Sequence, residues 1–370
     1  MRILVRSSSE WVVTGNWGKW CEIRQESGEK VDTLVLDVGV NIARQERGMS
    51  LELSNREETL EIELRQAAAT EEYEYVLPVI FHVLYRVPED DVPVGYLSSC
   101  LERVNDLYRD GPVDMNLKFV LATHDPNGQL LEEPGVRREF REGLPMDMLD
   151  FVGNKFGDCA WIWDPKEYIN VVIFDSKSIP SGCAHFPYLP ESVVLPGVLF
   201  SDWYADHLPD AHVHCVAWNR SHMFSRYELL GVIFDYDVFT LAHEMGHYLG
   251  LLHPFVDGKG NFGDYCDDTP DYCVNGYETF LSELDETFSY SDDNYRKVIQ
   301  RVALNGRVFI ADNIMDYEFG YLDRFTLEQR KRVRTVLENA WLLPGPKIEV
   351  EPRARSGKKA VKPSVPKPVS

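Results

Sequence analysis

Residues 240–253 read TLAHEMGHYLGLLH and contain three histidines, His243, His247 and His253. On an α-helix, residues four apart lie on one face, so His243 and His247 can present their imidazoles to the same ion. Gly250 can take the left-handed conformation that ends a helix, which lets the chain turn and bring His253 to that ion. Three neutral histidines leave the fourth tetrahedral position of zinc open to water, as a catalytic rather than a structural zinc site requires.

Glu244 follows the first histidine directly, which places its carboxylate beside the metal without making it a ligand. Zinc lowers the pKa of bound water to about 7, so a neighbouring carboxylate can take the proton and pass it to a leaving amine. The alternative is an amphipathic helix whose histidines bind no metal. A bare HExxH pattern leaves this alternative open, whereas Gly250 and His253 at their fixed offsets favour the zinc site.

A second signal lies downstream, where residues 313–317 read NIMDY. This segment resembles the Met-turn of metzincins, a tight turn whose methionine, here Met315, forms an apolar floor beneath the zinc ligands. The motifs together resemble the pappalysin family of metzincins over residues 75 to about 343. The motifs that carry the resemblance are PVIFHVLY at 78–85, the histidine segment at 243–253, GDYCDDTP at 263–270, the Met-turn, and FTLEQR at 325–330.

The resemblance implies a zinc-dependent endopeptidase that hydrolyses peptide bonds through a zinc-bound water activated by Glu244. It also implies that Tyr317 hydrogen-bonds the tetrahedral intermediate, since donors aimed at a developing oxyanion are often the largest catalytic contribution. Tyr321 and Asp323 are expected in the substrate pocket, where an unpaired buried carboxylate at Asp323 would favour a basic side chain of the substrate.

A calcium site is implied at the segment from Asp264 to Thr269, whose carboxylate and hydroxyl oxygens suit a hard cation. The alternative is a solvated acidic turn. Cys266 and Cys273, which lie in and just after this segment, would form a local disulfide in an oxidising compartment. Reduced, buried cysteines are the alternative, and the family's pairing cannot be transferred because residues 318–323 lack the cysteine that relatives often carry.

The amino-terminal residues show the period-two alternation of an antiparallel β-sandwich, with turn residues between the runs. Trp11, Trp17 and Trp20 would fill its small core. The order of these tryptophans, strands and turns resembles the BACON module, a small immunoglobulin-like domain of secreted and surface proteins. The resemblance implies a module that binds a carbohydrate, a mucin or the cell surface.

The rest of the chain predicts an α+β fold, a metzincin-like catalytic domain with a twisted β-sheet, a backing helix, an active-site helix and the Met-turn. Strands are predicted at 75–85, 117–122 and 168–174, and helices at 96–108 and 237–252. The predicted organisation is a sandwich at 1–68, a linker at 69–74, the protease domain at 75–343 and a disordered Pro/Lys-rich tail at 344–370.

Composition excludes several classes of protein. The formal net charge is −22, which argues against a nucleic-acid binder, because phosphate recognition needs clustered Lys and Arg. No apolar run reaches the roughly 18 residues of a membrane helix. The seven cysteines form no CxxC pair, which argues against a cysteine-based zinc site.

The remaining histidines are interpreted as structural. His207, His212, His214 and His222 show no third ligand at a recognisable spacing and are expected in a surface loop or edge strand. His82 lies within an apolar run and is expected to be a satisfied core histidine.

Two other functions remain open from the sequence. One is a non-catalytic, zinc-stabilised adhesion protein, and Glu244 argues against it because a structural site needs no base. The other is a zinc amidase acting on non-protein substrates. Both resembled families are usually exported, so we expect a secreted or cell-surface protein. The opening residues are too short for a signal-peptide core, so we expect Met1 to be an internal or misassigned start.

Overall fold

The computed structural model describes most of the chain. The residues that it does not describe are 16–17, 19, 154–160, 179, 208–213, 225, 230–231, 258–262, 284–295, 318 and 349–370, together with the side chains of 226–229 and 232–234. Most of the tail that we predict to be disordered therefore lies outside the described residues. Contacts within the chain place Met1–Tyr73 in one compact unit and Glu74–Gly345 in another.

The amino-terminal unit is a sandwich of two antiparallel sheets. Its strands are β1 (Arg2–Arg6), β2 (Trp11–Thr14), β3 (Cys21–Ile23), β4 (Ser27–Gly28), β5 (Val31–Val38), β6 (Arg47–Ser54) and β7 (Thr59–Gln66). One sheet has the order β1-β5-β3 and the other has the order β4-β2-β6-β7. Buried and exposed side chains alternate along β2, so that one face of its sheet is apolar.

The two sheets of this unit share one apolar core. Trp11 and Leu51 enter it from the four-stranded sheet, and Leu34 enters it from the three-stranded sheet. Trp20 is also buried there, whereas Trp17 lies outside the described residues. The predicted all-β sandwich is confirmed.

The second unit is built on a sheet with the strand order β10-β8-β11-β15-β12, in which β9 also pairs with β8. These strands are β8 (Tyr75–Tyr85), β9 (Leu117–Leu121), β10 (Val136–Phe140), β11 (Ile169–Phe174), β12 (Gly182–Ala184) and β15 (Val216–Asn219). The strand β12 alone runs antiparallel, against β15, and the other pairs are parallel. Every residue of β11 is buried, as expected for a strand covered on both faces. The three predicted strands are thereby confirmed.

Short strand pairs complete this unit within the described part of the chain. They are β13 (Tyr188–Leu189) with β14 (Leu199–Phe200), β16 (Arg226–Leu229) with β17 (Val232–Asp235), β18 (Phe255–Val256) with β19 (Tyr272–Cys273), and β20 (Gln300–Val302) with β21 (Val308–Ile310). The last pair forms an antiparallel hairpin.

The helices of the second unit are α1 (Val94–Arg109), α2 (Met148–Val152), α3 (Tyr236–Tyr248), α4 (Val274–Ser282) and α5 (Leu327–Asn339). Our prediction extended α3 to Leu252, and this was wrong by four residues because Gly250 ends the helix earlier. No helix among the described residues is long and apolar enough to cross a membrane.

Helix α1 fixes the position of α3. The hydroxyl of Tyr108 donates a hydrogen bond of 2.9 Å to the carbonyl of Ala242, in the middle of α3. Arg103 forms an ion pair with Asp235, the N-cap residue of α3. An acidic residue at a helix amino terminus interacts favourably with the helix dipole. The helix that carries the first two histidines is thus held at its start and at its centre.

Candidate active site

Helix α3 ends in a turn that directs the following residues back toward the histidines of the helix. Gly250 has a φ of 88°, in the left-handed region that favours glycine. The N–H of Leu251 donates to the carbonyl of Gly246 at 2.9 Å, and the N–H of Gly250 donates to that of His247 at 2.9 Å. This pair of bonds is the Schellman motif that closes a helix. It lets His253 approach the two histidines of the helix, as the sequence predicts.

The three histidines place their Nε2 atoms at the corners of a small triangle. The His243 and His247 atoms are 3.0 Å apart, those of His247 and His253 are 3.0 Å apart, and those of His243 and His253 are 3.2 Å apart. Three nitrogens bound tetrahedrally to one zinc at 2.0–2.1 Å would lie about 3.3 Å apart. The triangle therefore fits one zinc ion within a few tenths of an ångström.

Backbone carbonyls orient two of these rings. The Nδ1 of His243 lies 2.9 Å from the carbonyl of Ile314, and the Nδ1 of His247 lies 2.8 Å from that of Leu251. A carbonyl only accepts, so each Nδ1 carries the proton and each Nε2 keeps its lone pair for a metal. Burial lowers the pKa of His243 to about 4. Neutral imidazoles with free Nε2 lone pairs are the donor set that zinc requires.

Glu244 is buried beside the triangle, between α3 and β12. A Cβ added at Gly182 in β12 would lie 2.5 Å from the Cγ of Glu244, so only glycine leaves room for this side chain. The Oε2 of Glu244 accepts no hydrogen bond from the described residues. Burial raises the pKa of the Glu244 carboxyl well above its usual range. The site therefore holds a carboxyl group with raised proton affinity next to the metal ligands.

The predicted Met-turn lies directly under α3. Asn313 shapes it, because its carbonyl accepts from the N–H of Asp316 at 3.0 Å and its side chain accepts from the N–H of Met315 at 2.9 Å. Met315 is fully buried, and its Sδ would lie 2.3 Å from a Cβ added at Gly246. The methionine thus packs against the turn of helix between the two histidine ligands.

Tyr317 follows the turn and faces the histidines. Its ring centroid is 4.8 Å from that of His253 and 6.3 Å from that of His243. Burial, followed by the charge of Glu244, raises the pKa of the Tyr317 phenol to about 12. The phenol is therefore a neutral hydrogen-bond donor at physiological pH, and it lies within electrostatic reach of Glu244.

Comparison with known proteins identifies the family. The family model Peptidase_M43, described as pregnancy-associated plasma protein-A, matches residues 159–338, which include all three histidines and the Met-turn. The matched residues, 159–338, belong to a pappalysin-type metzincin domain. Peptidase_M43 proteins are metalloproteases, so this metzincin is a metalloprotease, and the family implies zinc at the histidine triangle.

Individual relatives are similar over much of the metzincin's length. An extracellular metalloprotease of Verticillium alfalfae is 27% identical over 241 residues, which cover 59% of this chain and 70% of that protein. Mature mirolysin of Tannerella forsythia, in complex with a cleaved peptide, is 22% identical with a TM-score of 0.47, over 71% of this chain and 92% of that chain. A promirolysin variant of the same organism is 19% identical with a TM-score of 0.47, over 74% of this chain and 84% of that chain.

The segment predicted to bind calcium is internally hydrogen-bonded in this metzincin. The Oδ1 of Asp264 accepts from Cys266 N–H at 3.0 Å and from the Thr269 hydroxyl at 2.7 Å. Its Oδ2 accepts from the Nε2 of Gln329 at 3.3 Å. Asp264 and Thr269 are buried, whereas Asp267 and Asp268 are exposed, so the segment is solvated in part and the alternative of a solvated turn stays open. Calcium binding stays a prediction.

Gln329 is a site residue that our sequence analysis did not single out. It is fully buried in α5 and also exchanges hydrogen bonds with the side chain of Asn313, at 2.8 and 3.1 Å. It therefore joins the loop after the third ligand to the Met-turn. Thr326 and Gln329 form a capping box, and this pattern of threonine and glutamine three residues apart is the local signal that could have identified it.

The structure describes Tyr321 and Asp323 after the Met-turn, and their place in a substrate pocket stays a prediction. Asp323 is about half exposed, and its carboxylate lies 3.0 Å from the Nε of Arg324. It is therefore neither buried nor unpaired, contrary to the expectation for this carboxylate. Tyr321 is also exposed.

The other histidines and cysteines lie outside the metal site. His82 is a core histidine as predicted, but only its Nε2 has a partner, Asn170 Oδ1 at 2.8 Å, and its Nδ1 neither accepts nor donates a hydrogen bond among the described residues. His214 is buried against Tyr248, so its placement at the surface was wrong. His207 and His222 are at the surface as expected, and His212 lies outside the described residues. Cys266 and Cys273 are both free, so the local disulfide is absent from the described structure.

Proposed function

We propose that this metzincin is a zinc-dependent endopeptidase that acts on extracellular or surface proteins. The observation that carries the proposal is the triangle of Nε2 atoms with a buried, raised-pKa carboxyl group, that of Glu244, beside it. Bound zinc would supply a Lewis acid that polarises water and the scissile carbonyl. A purely structural metal site has no use for Glu244, which argues against the non-catalytic alternative.

Glu244 is the group that moves protons in this proposal. As a carboxylate it takes a proton from the attacking water, and as a carboxylic acid it returns that proton to the leaving amine. Burial raises the pKa of the carboxyl group, which makes its carboxylate a stronger base for the attacking water. Gly182 and α3 exclude bulk solvent from one side of the carboxyl group. No covalent intermediate with the protein is needed.

Tyr317 supplies a hydrogen bond to the oxygen that gains negative charge during attack. The phenol is neutral and faces the ligand histidines, so it can donate without first losing a proton. Donors of this kind act in the transition state and are preorganised by the fold. His243, His247 and His253 hold the metal, and Met315 packs under the helix that carries the first two.

Export of the protein is part of the proposal, supported by its likeness to an extracellular metalloprotease. Binding of a carbohydrate, mucin or cell surface by the BACON-like sandwich stays a prediction. The division into a sandwich at 1–68 and a protease domain at 75–343 is proposed as the functional division of the chain, since every proposed catalytic residue lies beyond Pro78.

The test is hydrolysis of casein by the zinc-loaded protein, with and without phenanthroline. Glu244→Gln keeps the size of the side chain but removes the base, so it should retain zinc and lose about 10²- to 10⁴-fold in rate. Glu102→Gln, an exposed glutamate of α1, is the matched control and should be fully active. Wild-type turnover by zinc-loaded Glu244→Gln would overturn the mechanism.

A further inference from the structure

We propose that Arg301 is a positioning residue for the reaction, which holds Tyr317 against the ligand histidines through Asp316 and through the backbone of Phe319. The inference rests on the function proposed above for Tyr317. No motif of the sequence marks Arg301, and the residue lies on the hairpin of β20 and β21, away from the histidine ligands in sequence.

Arg301 is a buried cation whose guanidinium donates hydrogen bonds to several carbonyl groups. Only 2% of the residue is exposed. Its amino groups donate to the carbonyls of Val298 at 2.8 Å, Gln300 at 3.2 Å and Phe319 at 3.2 Å. Its central carbon lies 3.4 Å from the ring centroid of Tyr277. A planar group with five donors can satisfy these partners together, whereas a lysine ammonium cannot.

Asp316 is a buried acid whose pKa is affected by the charge of Arg301. It is 4% exposed, and its Oδ1 accepts from the N–H of Tyr317 at 2.8 Å and from the hydroxyl of Tyr272. The central carbon of Arg301 lies 5.7 Å from the ring centroid of Tyr272, whose hydroxyl donates to Asp316, and while burial raises the pKa of Asp316, the charge of Arg301 opposes that rise. Arg301 therefore favours the ionised carboxylate, which is the stronger acceptor for the backbone N–H of Tyr317.

Hydrogen bonds fix the backbone both at Tyr317 and shortly after it in the chain. Its own N–H is bound by Asp316, and the carbonyl two residues later, that of Phe319, is bound by Arg301. Phe319 has a φ of 61°, a left-handed conformation that is uncommon for a residue with a side chain and costs free energy. Such a conformation persists only when its surroundings fix it, and the bond from Arg301 is one of the contacts that do so.

The consequence for catalysis concerns the phenol of Tyr317. A displacement of about 1 Å in a positioned group can cost about 10²-fold in rate. Weakening the bonds of Arg301 should therefore lower turnover while leaving the three zinc ligands in place, because the carbonyls that Arg301 binds belong to Val298, Gln300 and Phe319 and not to a histidine ligand. A purely structural role would instead lower the unfolding free energy without a specific loss of turnover.

The first experiment compares Arg301→Lys with Arg307→Lys, a matched change at an exposed arginine of the same hairpin. Arg301→Lys should keep its zinc and its Michaelis constant, and its turnover should fall by about 10- to 100-fold. Hydrogen exchange of residues 316–320 should be faster than in the wild type under native conditions. Arg307→Lys should match the wild type in all four measurements. Equal turnover of both variants, or unchanged exchange at 316–320, overturns the inference.

The second experiment is a double-mutant cycle with Tyr317→Phe. If Arg301 acts through Tyr317, Arg301→Lys should lower turnover of Tyr317→Phe by less than about 2-fold, and independent effects that multiply overturn the inference. Should Arg301→Lys fail to fold, Asp316→Asn replaces it, with the same expected results. An inactive wild type would sink the proposed function, and the hydrogen-exchange comparison would still decide whether Arg301 positions the segment.

Discussion

Gly246 lies directly above Met315, with room for no side chain between the helix backbone and the methionine sulfur. A Cβ at this position would lie 2.3 Å from Sδ and 3.1 Å from Cε of Met315. Gly246 precedes the ligand His247, and Met315 is fully buried. The contact between them therefore fixes the distance between the Met-turn and the metal-binding helix. The glycine inside HEMGH is therefore a packing requirement of the active site.

We predict that Gly246→Ala lowers the free energy of unfolding by up to about 2 kcal/mol. Alanine favours a helix interior over glycine by about 1 kcal/mol, but overpacking a filled core costs about 1–3 kcal/mol and dominates here. Gly95→Ala in α1 is the matched control, because its Cβ would meet nothing within 4 Å. Urea denaturation of both variants measures the difference. A Gly246→Ala protein as stable as Gly95→Ala would show that Met315 moves aside freely.

The local part of the site could be predicted from the sequence because helix geometry dictates it. Spacing of four residues places His243 beside His247, and the left-handed Gly250 was foreseen as the point where the helix ends. The contact of Gly182 with Glu244 could not be foreseen, because it depends on which strand lies at the edge of the sheet. Periodicity does not encode strand order.

The wrong or missed predictions for Asp323, His214 and Gln329 also arise from contacts that depend on the tertiary fold. Asp323 was expected to be buried, yet burial is a property of the tertiary fold, and a short polar segment carries no periodicity from which to infer it. His214 was placed at the surface because polar and aromatic neighbours surround it in sequence, whereas in space it packs against Tyr248. Gln329 was visible as a capping residue, but its partners Asp264 and Asn313 are distant in sequence.

The third ligand should be necessary for tight zinc binding. We expect His253→Ala to weaken zinc affinity by more than about 100-fold, since changes outside the first coordination shell already cost 10- to 100-fold. Competition with a chelator of known affinity measures this. His207→Ala, which removes an exposed histidine stacked on Trp203, should bind zinc as the wild type does. Equal zinc affinity of the two variants would mean that His253 is not a ligand.

Asp264 should make stability depend on pH. Burial raises the pKa of Asp264 to about 6, from 3.8. Between about pH 4 and pH 6 the folded protein holds a proton on Asp264 that the unfolded chain has released. The unfolding free energy therefore falls as pH rises through this range, by up to about 3 kcal/mol. Asp264→Asn lacks this titration. The difference between wild type and variant, measured by urea denaturation with EGTA present, should show the slope, and exposed Asp106→Asn should not change it.

Calcium would reverse the sign of that dependence. A bound cation stabilises the ionised carboxylate and depresses its folded-state pKa, so the unfolding free energy would rise with pH and with added calcium. The same titration with calcium in place of EGTA therefore tests whether Asp264 and Thr269 bind the ion. A rise with pH in EGTA would contradict the raised pKa of Asp264 and would show that its hydrogen-bond donors outweigh the effect of burial.

Tyr317→Phe tests the proposed oxyanion contact, and its signature is kinetic. The phenol is neutral at physiological pH, with a pKa raised to about 12, and it faces His253. A donor used only in the transition state affects turnover and turnover over Michaelis constant equally when it is removed. Loss of one such donor costs about 10²- to 10³-fold. We therefore expect both constants to fall by the same factor in that range, with zinc content and thermal stability unchanged.

A nearly fully active variant would mean that Tyr317 only packs against His253 and Phe255. A higher Michaelis constant with unchanged turnover would make it a ground-state contact to substrate, and the developing charge would then be stabilised by another group.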